Sequence, residues 1–218
     1  MIKLYGFGPT RSIRPLWTLR ELGVPFEFVE VNMFKGDNKK PPFLAINPAG
    51  KVPALVDGDL VLNESVAIVV YLADKYPEKK LLPADLHERA KALSWMLFTA
   101  TELEQPLWRM AKNTNLYPED KRQPSDIAMA RADFAPMAAI LEKHMKGREF
   151  VVGDHATVAD FVAAYTLDWA NEAKLLEELP TLRSYMEKMY ERPHAPPRIA
   201  KAFAAVRAAN APSASAKA

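Results

Sequence analysis

Apolar and polar positions alternate with a period of two in Ile2-Lys3-Leu4-Tyr5-Gly6 and again in Pro25-Phe26-Glu27-Phe28-Val29-Glu30-Val31, which predicts two strands. Between them Ile13, Leu16, Trp17 and Leu19 recur at helical spacing over 11–22. Gly23 stands where a helix stops, and Pro15 falls in the first turn, where a missing N–H is tolerated. Strand, helix and strand with short connections imply a right-handed parallel crossover. A polar loop over 35–42 leads to a short helical turn near Phe43–Ile46. Next comes 51–57, a strand whose Pro53 belongs at its start, edge or a bulge because proline cannot donate to a ladder. Asp57-Gly58-Asp59 is turn chemistry between two apolar runs and predicts a hairpin. A helix follows from about Val66, with Asn63 or Ser65 as its expected cap.

After Tyr76-Pro77 the strand signals end. The division expected is a βαβαββα unit over 1–77, a linker over 78–84, an all-helical domain over 85–210 and a disordered tail over 211–218, an α+β chain in two parts. The helical patterns are 87–111 with a kink at Pro106, 124–145 closed by Gly147, 180–190 and 197–208. Thr157-Val158-Ala159-Asp160 has the form of a capping box opening a helix, and both polar residues are read as folding residues.

Composition narrows the chemistry by exclusion. The 29 basic and 27 acidic residues leave a formal charge of +2, too balanced to argue for nucleic acid or an anionic membrane surface. No apolar run approaches the ~20 residues of a membrane span. A soluble cytoplasmic protein is therefore expected. The chain has no cysteine, so disulfides, thiolate metal sites and a protein-borne thiol nucleophile are excluded. His87, His144, His155 and His194 show no metal-ligand spacing, and no metal is expected.

One stretch carries more information than the rest. Asn47-Pro-Ala-Gly-Lys-Val-Pro-Ala-Leu, the hairpin, and then Glu64-Ser65-Val-Ala-Ile-Val-Val-Tyr-Leu resemble the glutathione-binding half of the cytosolic glutathione S-transferases. The resemblance runs from Met1 to about residue 209 and is strongest before Tyr76. It implies a thioredoxin-like N-terminal domain, an all-helical second domain and a homodimer with the long first helix of the second domain at the interface. It also implies Pro53 as a cis residue, with the Val52 backbone meeting glutathione's cysteinyl group and Glu64 with Ser65 binding the γ-glutamyl carboxylate. Only X–Pro bonds go cis cheaply, and a helix N-terminus favours a carboxylate, so the physics agrees with the pattern. Lys51, and less strongly Lys40, take the place of a cation near the glycyl carboxylate.

With no cysteine in the chain, the reactive sulfur would be glutathione's own. Thr10-Arg11-Ser12-Ile13-Arg14-Pro15-Leu16-Trp17, followed by Leu19-Arg20-Glu21-Leu22-Gly23, is similar to the motif of theta-like and other bacterial members. It puts Thr10 in the hydroxyl position that activates the thiol, with Ser12 as the alternative and Arg11 beside them among the glutathione contacts. Either hydroxyl serves equally well as a helix cap, and Tyr5 is expected in the core or a pocket wall. The acceptor pocket implied lies between Phe7, Gly8 and the long helix carrying Trp108, Met110 and Tyr117. The activity implied is attack of glutathione thiolate on a small, often hydrophobic electrophile. Glutathione-dependent peroxidase or isomerase chemistry, and a non-catalytic interaction protein, are the alternatives.

Overall fold

A computed structural model of the protein describes residues 1–209; the tail expected over 211–218 lies outside them. Strand β1 (Ile2–Gly6), helix α1 (Ile13–Leu22) and strand β2 (Phe26–Glu30) make the parallel crossover, with Ile2 opposite Phe26. Strand β3 (Ala54–Asp57) runs antiparallel to β1 with Leu4 opposite Leu55, and β4 (Leu60–Asn63) closes the hairpin, giving the order β2-β1-β3-β4. Pro53 sits immediately before β3, as its missing donor requires. Alternation assigns the faces. Ile2, Leu4 and Leu55 join Trp17, Leu19 and Leu22 of α1 and Ile68, Val69 and Leu72 of α3 (Ser65–Lys75), while Tyr5 and Ala54 face Phe43 of the short helix α2 (Pro41–Leu44). Tyr5 is thus a packing residue, 6.3 Å ring to ring from Phe43.

The remaining elements among the described residues are helical and include α4 (Leu86–Phe98), α5 (Glu104–Ala111), α6 (Pro124–Met145), α7 (Val158–Glu172), α8 (Pro180–Tyr190) and α9 (Ile199–Ala209). The segment between α3 and α4 is tied down: Leu81 and Leu82 are buried, and the Leu81 carbonyl accepts from the Val158 N–H at 2.9 Å. The single long helix expected over 87–111 is divided instead. Residues 99–103 form a wide π-turn in which the Glu104 N–H donates to the Thr99 carbonyl, five residues back. Pro106 explains the break. It has no N–H for the carbonyl of residue 102, and its ring would crowd that carbonyl, so the turn before it widens.

Helix α7 is the centre of the second half, buried over most of its length. Its start confirms the capping box and adds to it. The Asp160 carboxylate accepts from the Thr157 N–H (2.8 Å), the Thr157 hydroxyl (3.1 Å), the Val151 N–H (2.8 Å) and the Tyr185 hydroxyl (2.8 Å). The two halves share one core. Trp17 of α1 stacks on Phe161 of α7 at 5.1 Å and tilts against Tyr190 at 5.0 Å, and Glu21 accepts from both Nε and Nη2 of Arg192 at 2.8 and 2.9 Å.

Candidate active site

The loop from β1 to α1 carries the two candidate hydroxyls, and the structure separates their roles. Ser12 occupies the N-cap position of α1 without capping it. Its side chain is buried and accepts from the Phe7 N–H at 3.3 Å. Thr10 is only half-buried and donates its one proton to the Phe7 carbonyl at 2.6 Å. Since that proton is committed, Ser12 must be the donor in the 2.9 Å contact between the hydroxyls. The result is a closed ring, Phe7 N–H to Ser12 to Thr10 to Phe7 carbonyl. A β1–α1 loop built this tightly fixes where the Thr10 oxygen sits, and it places Ser12 behind Thr10, away from solvent.

Beside the loop, the Val52–Pro53 bond is cis and Pro53 is buried. Helix α3 starts at Ser65, with Glu64 at the N-cap and no side-chain cap, so neither Asn63 nor Ser65 plays the capping part expected. Glu64 holds φ 66° and ψ 115°, a region costly for any residue with a Cβ. The turn from β4 into α3 requires it, and it leaves the Glu64 carboxylate exposed while tucking Ser65 inward. Replacing Glu64 with glycine is expected to relieve this strain and raise unfolding free energy by about 1 kcal/mol, a difference between strain relieved and glycine's added chain entropy. Denaturant melts of the two proteins test this.

Two residues to which the sequence assigned no role, Arg14 of the Thr10–Trp17 motif and Glu104, complete the centre. Arg14 is 1% exposed, and its guanidinium reaches Ser65 Oγ at 3.0 Å, Thr166 Oγ1 at 2.7 Å and the Glu104 carboxylate, with its face 5.1 Å from the Tyr165 ring. Glu104, first residue after the π-turn, also takes the Arg11 Nε at 2.5 Å. Burial works against the Arg11 charge, but the attraction of Glu104 more than offsets it and holds the guanidinium ionised above its usual range. Arg11 lies over both Trp108 (5.0 Å) and Trp169 (5.5 Å), so it links the N-terminal half to an aromatic wall on α5 and α7. The sequence carried a signal for Arg14, its place in the Thr10–Trp17 motif, and none for Glu104 on α5.

The other expected residues gather less tightly. Phe7 is buried and meets exposed Phe34, another residue not anticipated, edge-on at 5.5 Å. Gly8 lies under α9: a Cβ there would stand 2.9 Å from Val206 Cγ2. Met110 is buried. Tyr117 is held by its own segment, with Lys112 5.8 Å over its ring and its carbonyl accepting from Arg122. Lys40 is exposed and pairs with Asp37 at 2.5 Å, whereas Lys51 is exposed beside Val52.

A sheet with an antiparallel hairpin, a cis-proline at the start of its interior strand β3 and an arginine-held serine at a helix start, joined to a helical domain that supplies an aromatic wall, defines a two-domain protein with a thioredoxin-like N-terminal half. The model for the N-terminal domain of glutathione S-transferases matches residues 1–74, and that for the C-terminal domain residues 109–193. Glutathione S-transferase Z2 of Arabidopsis thaliana is 35% identical over 202 residues, 88% of this chain and 87% of that protein. Glutathione S-transferase GstA of Escherichia coli O157:H7 is 35% identical over 187 residues, 81% and 86% of the two chains. The crystal structure of glutathione transferase URE2P6 from Phanerochaete chrysosporium, in complex with oxidized glutathione, superposes with a TM-score of 0.80 at 30% identity, covering 95% of this chain and 96% of that one. The chain belongs to the glutathione S-transferase family.

Proposed function

We propose that the protein binds glutathione along the loop–cis-proline–α3 edge and transfers its sulfur to a small electrophile seated against Phe7, Gly8 and Trp108. Val52 meets the cysteinyl group through its backbone and Lys51 the glycyl carboxylate, with Lys40 already engaged by Asp37. At the γ-glutamyl end the negative Glu64 side chain suits the ligand's ammonium. The Ser65 hydroxyl and the first N–H groups of α3 suit its carboxylate. The observation that carries this reading is the Thr10 hydroxyl, which alone of the two reaches the surface and has Ser12 donating to it from behind. To stabilise a thiolate, Thr10 turns its proton from the Phe7 carbonyl to the sulfur while the Ser12 proton stays on the Thr10 oxygen, which makes Thr10 a better donor. The sulfur lone pair then forms the bond to carbon, and a leaving anion departs or the adduct takes up a proton.

The chain works as a homodimer through α4, whose Leu86 and Leu97 stand exposed at 74% and 55%. It acts in the cytoplasm, where the tripeptide is kept reduced. Among the described residues no helix is long and apolar enough to cross a membrane. Titration calorimetry with glutathione, followed by turnover of an activated aryl halide, tests the reading: saturable binding with conjugate formation is expected, and absence of binding would overturn it. Light scattering on the same sample gives the mass, and a monomer would refute the dimer.

A further inference from the structure

Arg11 is fixed more firmly than a charged side chain at the edge of the seam needs to be. Its side chain stays 32% exposed, yet its Nε donates to the buried Glu104 carboxylate at 2.5 Å. Its guanidinium also rests against two indoles, Trp108 and Trp169, which meet each other edge-on with centroids 6.5 Å apart. A residue of the β1–α1 loop is thus held by two helices of the second domain.

Charge balance does not account for this. Glu104 already has Arg14 as its buried counter-ion. Exposed Glu64 adds its field to Arg11, so two guanidiniums face two carboxylates and no charge is left over. What Arg11 has in surplus is donors. Glu104 takes Nε alone, and among the described residues neither terminal nitrogen meets an acceptor. A guanidinium offers these nitrogens as a planar, permanently charged fork, which suits an oxygen that gains negative charge. The fork belongs to the chain neighbour of Thr10 and leans on Trp108, the wall proposed for the electrophile.

We propose that Arg11 is a second catalytic residue, acting on the electrophile as Thr10 acts on the sulfur. It donates to the carbonyl oxygen of a conjugated aldehyde or ketone while the thiolate adds to the β-carbon. This role rests on the glutathione binding proposed above. The sulfur lone pair forms the new bond, the carbon–carbon π pair shifts to give an enolate, and the carbonyl oxygen takes the negative charge. A proton from water then goes to the α-carbon, so no further reactant is needed. The oxygen is a weak acceptor in the substrate and an anion in the enolate, so Arg11 grips the transition state harder than the ground state. Glu104 and the two indoles hold the fork in place beforehand, and nothing has to reorganise as the charge arrives.

Steady-state rates at saturating glutathione test this with two acceptors. In benzylideneacetone the charge moves to oxygen, and in iodohexane it leaves on iodide. Arg11→Met is expected to lower kcat on the ketone roughly 30-fold or more, toward the loss that follows removal of an oxyanion donor. Its kcat on iodohexane and its KM for the ketone should both stay within about threefold of wild type. Equal losses with both acceptors would show that Arg11 only shapes the seam, and an unchanged ketone rate would show that its fork is idle. Either result overturns the proposal. So does a loss carried by KM alone, the mark of uniform binding. A wild type that binds glutathione by calorimetry but does not conjugate the ketone overturns the role of Arg11 and leaves the glutathione reading standing, whereas no glutathione binding overturns both. Should Arg11→Met fail to fold, Arg11→Lys decides by the same ratio. It keeps a cation against Glu104, gives up the fork and should lose about fivefold to tenfold on the ketone alone.

Discussion

Replacing Thr10 with valine raises the pKa of the bound glutathione thiol by about two units, back toward the ~8.5 of a free thiol. Two units correspond to about 2.7 kcal/mol of lost thiolate stabilisation. At pH 7 the thiolate fraction would fall roughly 25-fold, but the more basic sulfur is intrinsically more nucleophilic, by roughly 8-fold at a Brønsted slope near 0.45. The ionisation part of the rate loss is thus only about threefold at pH 7, vanishes near pH ~7.6 and reverses above it, where the more basic sulfur is largely ionised as well. Most of any acceleration must therefore come from holding the electrophile against the sulfur. Ultraviolet thiolate absorbance against pH measures the shift directly. Thr10→Ser should retain it. Ser12→Ala, which removes the donor behind Thr10 but not Thr10 itself, should move it by less than about one unit. A pKa untouched in Thr10→Val, or moved as far by Ser12→Ala, would transfer the role away from Thr10.

The second large effect lies far from any substrate. Asp160→Ala removes the shared acceptor of two backbone N–H groups and two hydroxyls, all at or within 3.1 Å of a side chain that is 0% exposed. Each buried donor left without a partner costs on the order of 1–3 kcal/mol, with partial relief from rotation of the two hydroxyls. A loss of about 3–5 kcal/mol is expected, or a fall of roughly 10 °C or more in Tm for a chain of this size. Tyr185→Phe removes a single donor and should cost about 1 kcal/mol. Burial raises the Asp160 pKa while its donors pull it down, and neither tendency relieves the need for an acceptor. Scanning calorimetry settles the matter: an Asp160→Ala variant melting within about 1 kcal/mol of wild type would show that water takes the place of the carboxylate.

These two residues also mark how far the sequence could be read. The capping box, the hairpin at Asp57-Gly58-Asp59 and the cis-proline motif are local, so their meaning is complete within a few residues. Pro106 announced a break, but whether the chain answers with a kink or a π-turn depends on what the next residue must reach. The pairing of Arg14 with Glu104 was illegible for the same reason. Arg14 stood in the Thr10–Trp17 motif without a role and Glu104 is an ordinary charged residue in a helical pattern, and only the fold brings them together. Proximity in sequence likewise made Thr10 and Ser12 interchangeable, and burial of one of them is a property of the folded loop alone. Gly8 under Val206 joins two segments nearly two hundred positions apart, beyond any periodicity.

The seam described at Arg14 and Glu104 restricts how such a chain can be recombined. A helical domain borrowed from a relative would bring its own partner for position 14, or none. A guanidinium buried against an apolar replacement is among the more damaging mismatches a fold can meet. Positions 11, 14, 65, 104 and 166 therefore form a cassette that must be inherited or transplanted together. A chimera joined at the linker will fold well only when both parents carry a compatible set, however similar their surfaces and whatever electrophile each prefers.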